Sequence, residues 1–264
     1  MTILDKIIDH KKLEVEKAKE KNPVSKLERS RFFDFATLSM TEFIRNPQKT
    51  GIIAEFKRKS PSKGIINNQS SIEEVTTGYF RCGASGLSIL TDMEFFGGTA
   101  ADLKRARQLN PIPILRKDFI IDEYQIIEAK SMGADAVLLI AAALDKAKIK
   151  ELAGFARSLH LQVLFEVHEI SELESLNEFV DMVGVNNRDL KTFKVDVERS
   201  VELSSEIPCD FVRISESGIT SPFTIRKLRN CGYQGFLIGE SFMRTPEPAR
   251  TFADFVELIL IQHD

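Results

Sequence analysis

Cysteine is scarce in this chain: Cys82, Cys209 and Cys231 are the only three, and none forms a CxxC pair. That argues against a disulfide framework or a thiolate zinc site and fits a reducing compartment. A dominant charge is missing too. The 36 Lys and Arg stand against 39 Asp and Glu, a net charge of -3, which offers no field for nucleic acid or an anionic membrane. Long apolar runs are also lacking. The longest, Ala136 to Leu144, falls far short of the roughly 18 to 20 residues of a membrane-spanning helix. The opening MTILDKIIDHKKLEVEKAKEK alternates charged and aliphatic side chains, unlike a signal peptide. A cytoplasmic protein is expected.

What is present is an ordinary globular composition, 43% hydrophobic and 28% charged over 264 residues, enough for one large domain with a sizeable core. Eight short, mostly β-branched apolar runs stand out, at 51–56, 86–90, 112–116, 136–140, 162–166, 182–186, 210–215 and 235–238, with starts 20 to 35 residues apart. Such runs suit parallel strands buried on both faces, and the segments between them read as amphipathic helices. Asp122 to Met132 opens on acidic residues and stops before a Gly, as the helix dipole and C-cap prefer, and Lys146 to Leu159 follows the same plan. Eight strand-and-helix units predict a (β/α)8 TIM barrel. Residues 1–264 read as one domain, and residues 1–50 as a helical extension packed on it. The charged stretch 2–21 and the Phe-rich stretch Arg31 to Phe43 are taken as its helices, and Pro248 to Ile261 as the closing helix.

In such a barrel the active site lies at the carboxyl ends of the strands. The first strand ends in Glu55-Phe56-Lys57, so alternation turns Glu55 and Lys57 to one side and Phe56 to the helices. Strand three ends in Arg116-Lys117-Asp118, strand five in Glu166-Val167-His168 and strand six in Asn186-Asn187-Arg188. Taken singly, each is equally a solvated charge or a structural ion pair. Four successive rim positions favour a site. Strands seven and eight run into Ser217-Gly218-Ile219 and Gly239-Glu240. A glycine-requiring turn explains either alone, but these are the two loops where barrels frequently hold phosphate.

Together the blocks IIAEFKRKSPSKG, ILTD with FFGG two residues on, PILRKDFI, ADAVLLI, FEVH, VGVNNRDL, ISESGI and FLIGES resemble the indole-3-glycerol phosphate synthase family, in its order and across essentially the whole chain. The resemblance implies closure of 1-(2-carboxyphenylamino)-1-deoxyribulose 5-phosphate to an indole, with loss of carbon dioxide and water and with no metal or organic cofactor. It makes Lys117 the general acid, with a pKa expected to be lowered in a crowded barrel beside a second lysine. Glu166 stabilises the cationic ring-closed intermediate, Glu55 and Lys57 serve the remaining proton transfers, and Asn186 meets a hydroxyl or Glu55. Lys59, Ser62, Arg188, Ser217, Gly218, Gly239 and Glu240 fall to substrate and its phosphate, with Glu240 acting only through its N–H. Phe96, Leu138, Leu190 and Ile219 line the apolar half, although for these a core role is as good a reading. His168, read as lying on the strand face opposite Glu166, is expected to be a packing or rim residue. The same block set disfavours phosphoribosylanthranilate isomerase, which has no use for a strand-three lysine, and a barrel that only binds, which would lose Lys117, Glu55 or Glu166.

Overall fold

Residues 2–261 are described by the computed structural model; residue 1 and residues 262–264 of the expected domain lie outside them. Eight parallel strands close a barrel: β1 Ile52–Phe56, β2 Gly86–Leu90, β3 Ile114–Lys117, β4 Ala136–Ile140, β5 Gln162–Val167, β6 Met182–Asn186, β7 Val212–Glu216 and β8 Gly235–Ile238. Closure is made by β1 against β8, with Ile52 opposite Phe236. Every strand lies within two residues of its predicted run. Alternation then sorts the side chains. Ile53, Leu115, Leu138, Leu164, Ile214 and Leu237 fill the barrel interior, while Ile52, Ala54 and Phe56 join the larger core between strands and helices.

Local chemistry sets the helix limits. Helix Glu123–Met132 starts at Asp122, whose carboxylate caps Tyr124 N–H in a box with Gln125, and it stops at Gly133 in the left-handed region. Helix Lys146–Ser158 is capped by Asp145, and Pro248–Ile261 closes the chain as a helix. Two expectations fail. The Phe-rich stretch is not one helix: residues 31–35 form turns, and helix Met40–Arg45 begins only after Ser39, whose hydroxyl caps Glu42 N–H. No α-helix follows β5, where a 3-10 turn over Ile170–Ser175 takes its place. The span from β5 to β6 is the shortest in the barrel and leaves no room for a full helix.

The segment before β1 touches both ends of the barrel. Helix α1, Ile3–Lys21, lies at the mouth, where the buried Lys11 ammonium is 2.9 Å from each of Asp92, Asp118 and Glu14. Tyr124 hydroxyl donates to the Ala18 and Asn22 carbonyls, tying the end of α1 to the barrel. At the other end, Met40 and Ile44 enter the interior cluster as a floor. A Cβ on Gly86 would lie 2.4 Å from Met40 Sδ, so the glycine makes room for this plug. Thr41 and Gln162 bond reciprocally beside it, and Leu38 N–H donates to Asp135. Among the described residues, no helix is long and apolar enough to cross a membrane.

Candidate active site

Above the apolar interior, the next inward positions are polar: Glu55 on β1, Ser88 on β2, Lys117 on β3, Glu166 on β5, Asn186 on β6 and Glu216 on β7. All but Ser88 face a cavity of about 360 Å³ at the carboxyl ends of the strands, a size suited to one small ligand. Lys117 Nζ lies 3.1 Å from Glu166 Oε2 and 3.6 Å from Glu216 Oε2. Glu166 Oε1 accepts from Asn186 Nδ2 at 3.1 Å. Asn186 is therefore a partner of Glu166 and not of Glu55. Glu55 pairs instead with Lys57 at 2.7 Å and accepts from the Ser88 hydroxyl at 3.3 Å.

These contacts correct the expected electrostatics of Lys117. Burial pushes its pKa down, but Glu166, Glu216 and Glu55 outweigh burial and hold it above the ordinary lysine range. The neighbours it meets in space are carboxyls from distant strands. Arg116, next to it in sequence, points outward to Asp118 and Glu128. Lys117 is thus an ammonium at neutral pH, the form a general acid needs.

Glu216 was not singled out from the sequence, yet it stands at the centre of the group. It is 1% exposed, and its Oε1 has no hydrogen-bond partner. Burial raises its pKa, the negative charges of Glu166 and Glu55 add to the rise, and Lys117 opposes it. Glu166 goes the other way: burial raises it, but Lys117, His168 and the Asn186 hydrogen bond together bring it below the usual carboxylate range. Two adjacent carboxyls are thus driven apart, a proton donor beside a proton acceptor. Glu216 shares a face with Val212 and Ile214, so the parity that found Glu55 would have found it. Space for these carboxylates comes from glycines elsewhere on the rim, Gly184 on β6 and Gly239 just past β8. A Cβ on Gly184 would be 2.2 Å from Glu216 Oε1, and one on Gly239 2.6 Å from Glu55 Oε1.

Polar groups that suit an anion gather at the β7 and β8 ends. Ser217 and Gly218 have φ of 66° and 76°, left-handed values that turn the loop backbone, and for Ser217 a strained one. Ser241 hydroxyl donates to the Ile219 carbonyl and ties the two loops together. Gly239 precedes the short helix Glu240–Met243. Arg188 reaches Ser62 at 3.3 Å and the Glu240 carboxylate at 2.8 Å. The Glu240 side chain is thus engaged with Arg188. Lys59 is not brought to the cavity: its ammonium donates to the Glu94 carbonyl, outside the lining residues.

The apolar half is lined as expected by Phe96, Leu138, Leu190 and Ile219. Phe119, which the sequence reading did not select, packs on Phe96 with ring centroids 5.9 Å apart. Ile3, Leu4 and Ile7 of α1 also line the cavity, so the extension contributes to the site. His168 is a further correction. Two residues beyond Glu166, it shares that residue's face, with Nε2 3.6 Å from Glu166 Oε1. Among the described residues, no group of three His, Cys, Asp or Glu is placed to hold a metal ion.

Relatives and solved structures share this architecture. The chain is 49% identical over 257 residues to an indole-3-glycerol phosphate synthase of Bacteroides thetaiotaomicron, covering 97% of this chain and 98% of the relative. It is 43% identical over 248 residues to one of Caldanaerobacter subterraneus, covering 93% and 94%. Among solved structures it is similar to 3-hexulose-6-phosphate synthase of Salmonella typhimurium, with TM-score 0.63 and 14% identity over 81% of this chain and 99% of that one. A tryptophan synthase alpha-subunit of Pyrococcus furiosus gives TM-score 0.61 and 14% identity over 80% and 98%; at such identities the likeness is one of fold. The family model described as indole-3-glycerol phosphate synthase matches residues 4–255, and with that match and those identities the chain belongs to the indole-3-glycerol phosphate synthase family.

Proposed function

We propose that the cavity closes the indole ring of 1-(2-carboxyphenylamino)-1-deoxyribulose 5-phosphate, the carboxy-lyase step that its family performs in tryptophan biosynthesis. The observation that carries the division of labour is the Lys117 ammonium, 3.1 Å from Glu166 and 3.6 Å from Glu216 and facing the cavity. The phosphate lies against the Ser217-Gly218 and Gly239-Glu240 loops, with Ser62 and Arg188 beside it. The aromatic ring lies among Phe96, Leu138, Leu190 and Ile219. That pose puts the substrate ketone on the cavity side of the Lys117 ammonium.

The ring carbon that bears the carboxylate attacks the ketone carbon, and Lys117 delivers a proton to the oxygen as its negative charge develops. The attack leaves positive charge on the ring nitrogen, and ionised Glu166, fixed by Asn186, stabilises it. Carbon dioxide then departs and returns its bonding pair to the ring. In the last step the new hydroxyl leaves as water, protonated from the Lys57 side, and a proton is lost from the adjacent ring carbon to Glu55 or Glu166. Glu216, biased toward its neutral form, keeps the group of two lysines and three carboxyls close to electroneutral. Lys59 serves this site only if it leaves the Glu94 carbonyl.

The same reading takes the chain as one domain with residues 1–50 as an extension, supported by the contacts of that segment at both barrel ends. It acts in the cytoplasm, apart from nucleic acid and membrane, as the free thiols of Cys82, Cys209 and Cys231 suit. The test is to incubate the purified protein with the carboxyphenylamino-deoxyribulose phosphate, without added metal, and follow indole fluorescence. A rise is expected. No rise from a folded protein that binds the substrate would overturn the assignment.

A further inference from the structure

The two asparagines at the end of β6 turn opposite ways. Asn186 faces the cavity, whereas Asn187 is fully buried outside its lining, against Ser200 of helix Glu198–Leu203 and Ser215 of β7. Its Nδ2 donates to the Ser215 hydroxyl and to the Ser217 carbonyl, each at 3.0 Å. Its Oδ1 accepts from the Ser200 backbone N–H at 3.2 Å and from the Ser200 hydroxyl at 2.8 Å. A backbone carbonyl on one side and a backbone N–H on the other leave the amide a single orientation. The Ser200 hydroxyl gives its one hydrogen to Asn187, so across 2.8 Å it accepts that of Ser215. The three side chains close a ring in which each donates to the next, and the amide hydrogen left over goes to Ser217. Tyr233 hydroxyl, donating to the Ser200 carbonyl at 2.7 Å, anchors the ring from behind.

That last bond reaches the loop assigned above to phosphate. Ser217 has a φ of 66°, a left-handed value that costs a residue with a side chain free energy and persists only where its surroundings hold it. A trans peptide sets its C=O and N–H on opposite edges of one plane. Drawing the Ser217 carbonyl outward to Asn187 therefore turns the Gly218 N–H inward, to the cavity that both residues line. We propose that Asn187 is a positioning residue of the phosphate site: through the Ser217 carbonyl it holds the strained Ser217-Gly218 turn in the form that receives the anion, without touching the anion itself. The inference rests on the reading of this loop as the phosphate site.

The experiment is steady-state kinetics with the carboxyphenylamino-deoxyribulose phosphate, and its competitive inhibition by inorganic phosphate, for the wild type, Asn187→Ala, Asn187→Ala/Ser217→Gly and Ser200→Ala, with folding checked by circular dichroism. In Asn187→Ala, KM and the phosphate Ki rise together by about tenfold, the order of what one left-handed residue stores. The kcat stays within about threefold, the pattern of lost uniform binding. Glycine adopts the left-handed turn without that cost, so the double variant brings both constants back by at least about threefold. A side chain that only fills the core would lower the melting temperature and move neither constant. A folded Asn187→Ala with an unchanged phosphate Ki, or a rise that Ser217→Gly does not relieve, overturns the proposal. Should Asn187→Ala fail to fold, Ser200→Ala opens the same ring: the phosphate Ki rises by about two- to threefold, and an unmoved Ki overturns the proposal equally. Failure of inorganic phosphate to compete with substrate in the wild type would instead remove the phosphate reading itself, so the two failures are told apart.

Discussion

The two ends of this barrel are built from the same eight strands and closed by the same amino-terminal segment, yet they differ in every physical respect. At the floor, Met40 and Ile44 enter an apolar cluster, Gly86 yields space to Met40, and Thr41 and Gln162 satisfy one another. At the mouth, Glu55, Lys117, Glu166 and Glu216 face a cavity, and one Glu216 oxygen lacks a partner. The floor is arranged for stability and the mouth for chemistry, the division expected of this fold. Strand alternation alone does not decide which end is which. The apolar plug from before β1 fills one end, whereas α1 only roofs the other and leaves it hollow.

Substitutions separate the two ends. The largest effect belongs to the mouth: Lys117→Met is expected to lower kcat by about a hundredfold to ten-thousandfold, the range for loss of a general acid. Steady-state kinetics beside a melting curve test this, and a near-normal kcat would remove Lys117 from the chemistry. At the floor, Met40→Ala is expected to lose about 2–5 kcal/mol of stability while kcat of the folded enzyme stays within about twofold. Urea denaturation measures the first and initial rates the second; a large fall in kcat would mean that the floor and mouth are coupled.

Acid sharpens the contrast further. Asp118, beside Lys117, is pushed up by burial but is brought down to about 2 from an ordinary 3.8 by Lys11, Arg116 and Thr91. A depressed carboxyl contributes stability above its unfolded pKa, so about 2 kcal/mol is present above pH 3.8 and drains away as the pH falls toward 2. Asp135 at the floor has the opposite sign, since burial raises its pKa despite Arg107 and two backbone N–H groups. Its contribution is largest below the unfolded pKa and is lost as pH rises through the folded one. Denaturation at pH 5 and pH 2.5 should show the Asp118 loss in the wild type and a flatter dependence in Asp118→Asn. The smallest effect concerns the phosphate end. Glu240→Gln removes a carboxylate that occupies Arg188, and KM is expected to fall by up to about fivefold, within the ~1 kcal/mol of a partly exposed ion pair. A rise in KM would show that Glu240 aims Arg188 instead of competing for it.

Much of the fold was legible because buried parallel strands announce themselves as apolar runs, and parity carried Glu55, Lys57, Lys117 and Glu166 to one rim. Where the reading failed, the cause was physical. Residues 31–43 have the composition of a helix, but the Ser39 cap and Glu42 three residues later mark where one starts. The partners of Lys117 lie on β5 and β7, about 50 and 100 residues onward, so expecting burial and a second lysine to dominate gave the wrong sign for its pKa. Glu216 was passed over for the glycine that follows two positions later, and His168 was given the wrong face although it stands two residues from Glu166. Lys59 occupies a motif position but donates to the Glu94 carbonyl, a contact set by loop conformation and not by residue type.

The glycines behind the carboxylates bear on inheritance. A Cβ at 184 would lie 2.2 Å from Glu216 Oε1 and displace the end of that side chain, whereas one at 239 would meet Glu55 Oε1 at 2.6 Å and Glu55 Cβ at 2.7 Å, a clash with the stem of residue 55 that shortening it does not relieve. Residues 184 and 216 form one epistatic unit, whereas 239 stays glycine whatever the length of residue 55. A chimera joined between β6 and β7 draws the first pair from two parents, so wherever one parent supplies glutamate at 216 the other must supply glycine at 184. A mutant library aimed at this pocket gains access to alanine at 184 by shortening residue 216 to aspartate in the same clone.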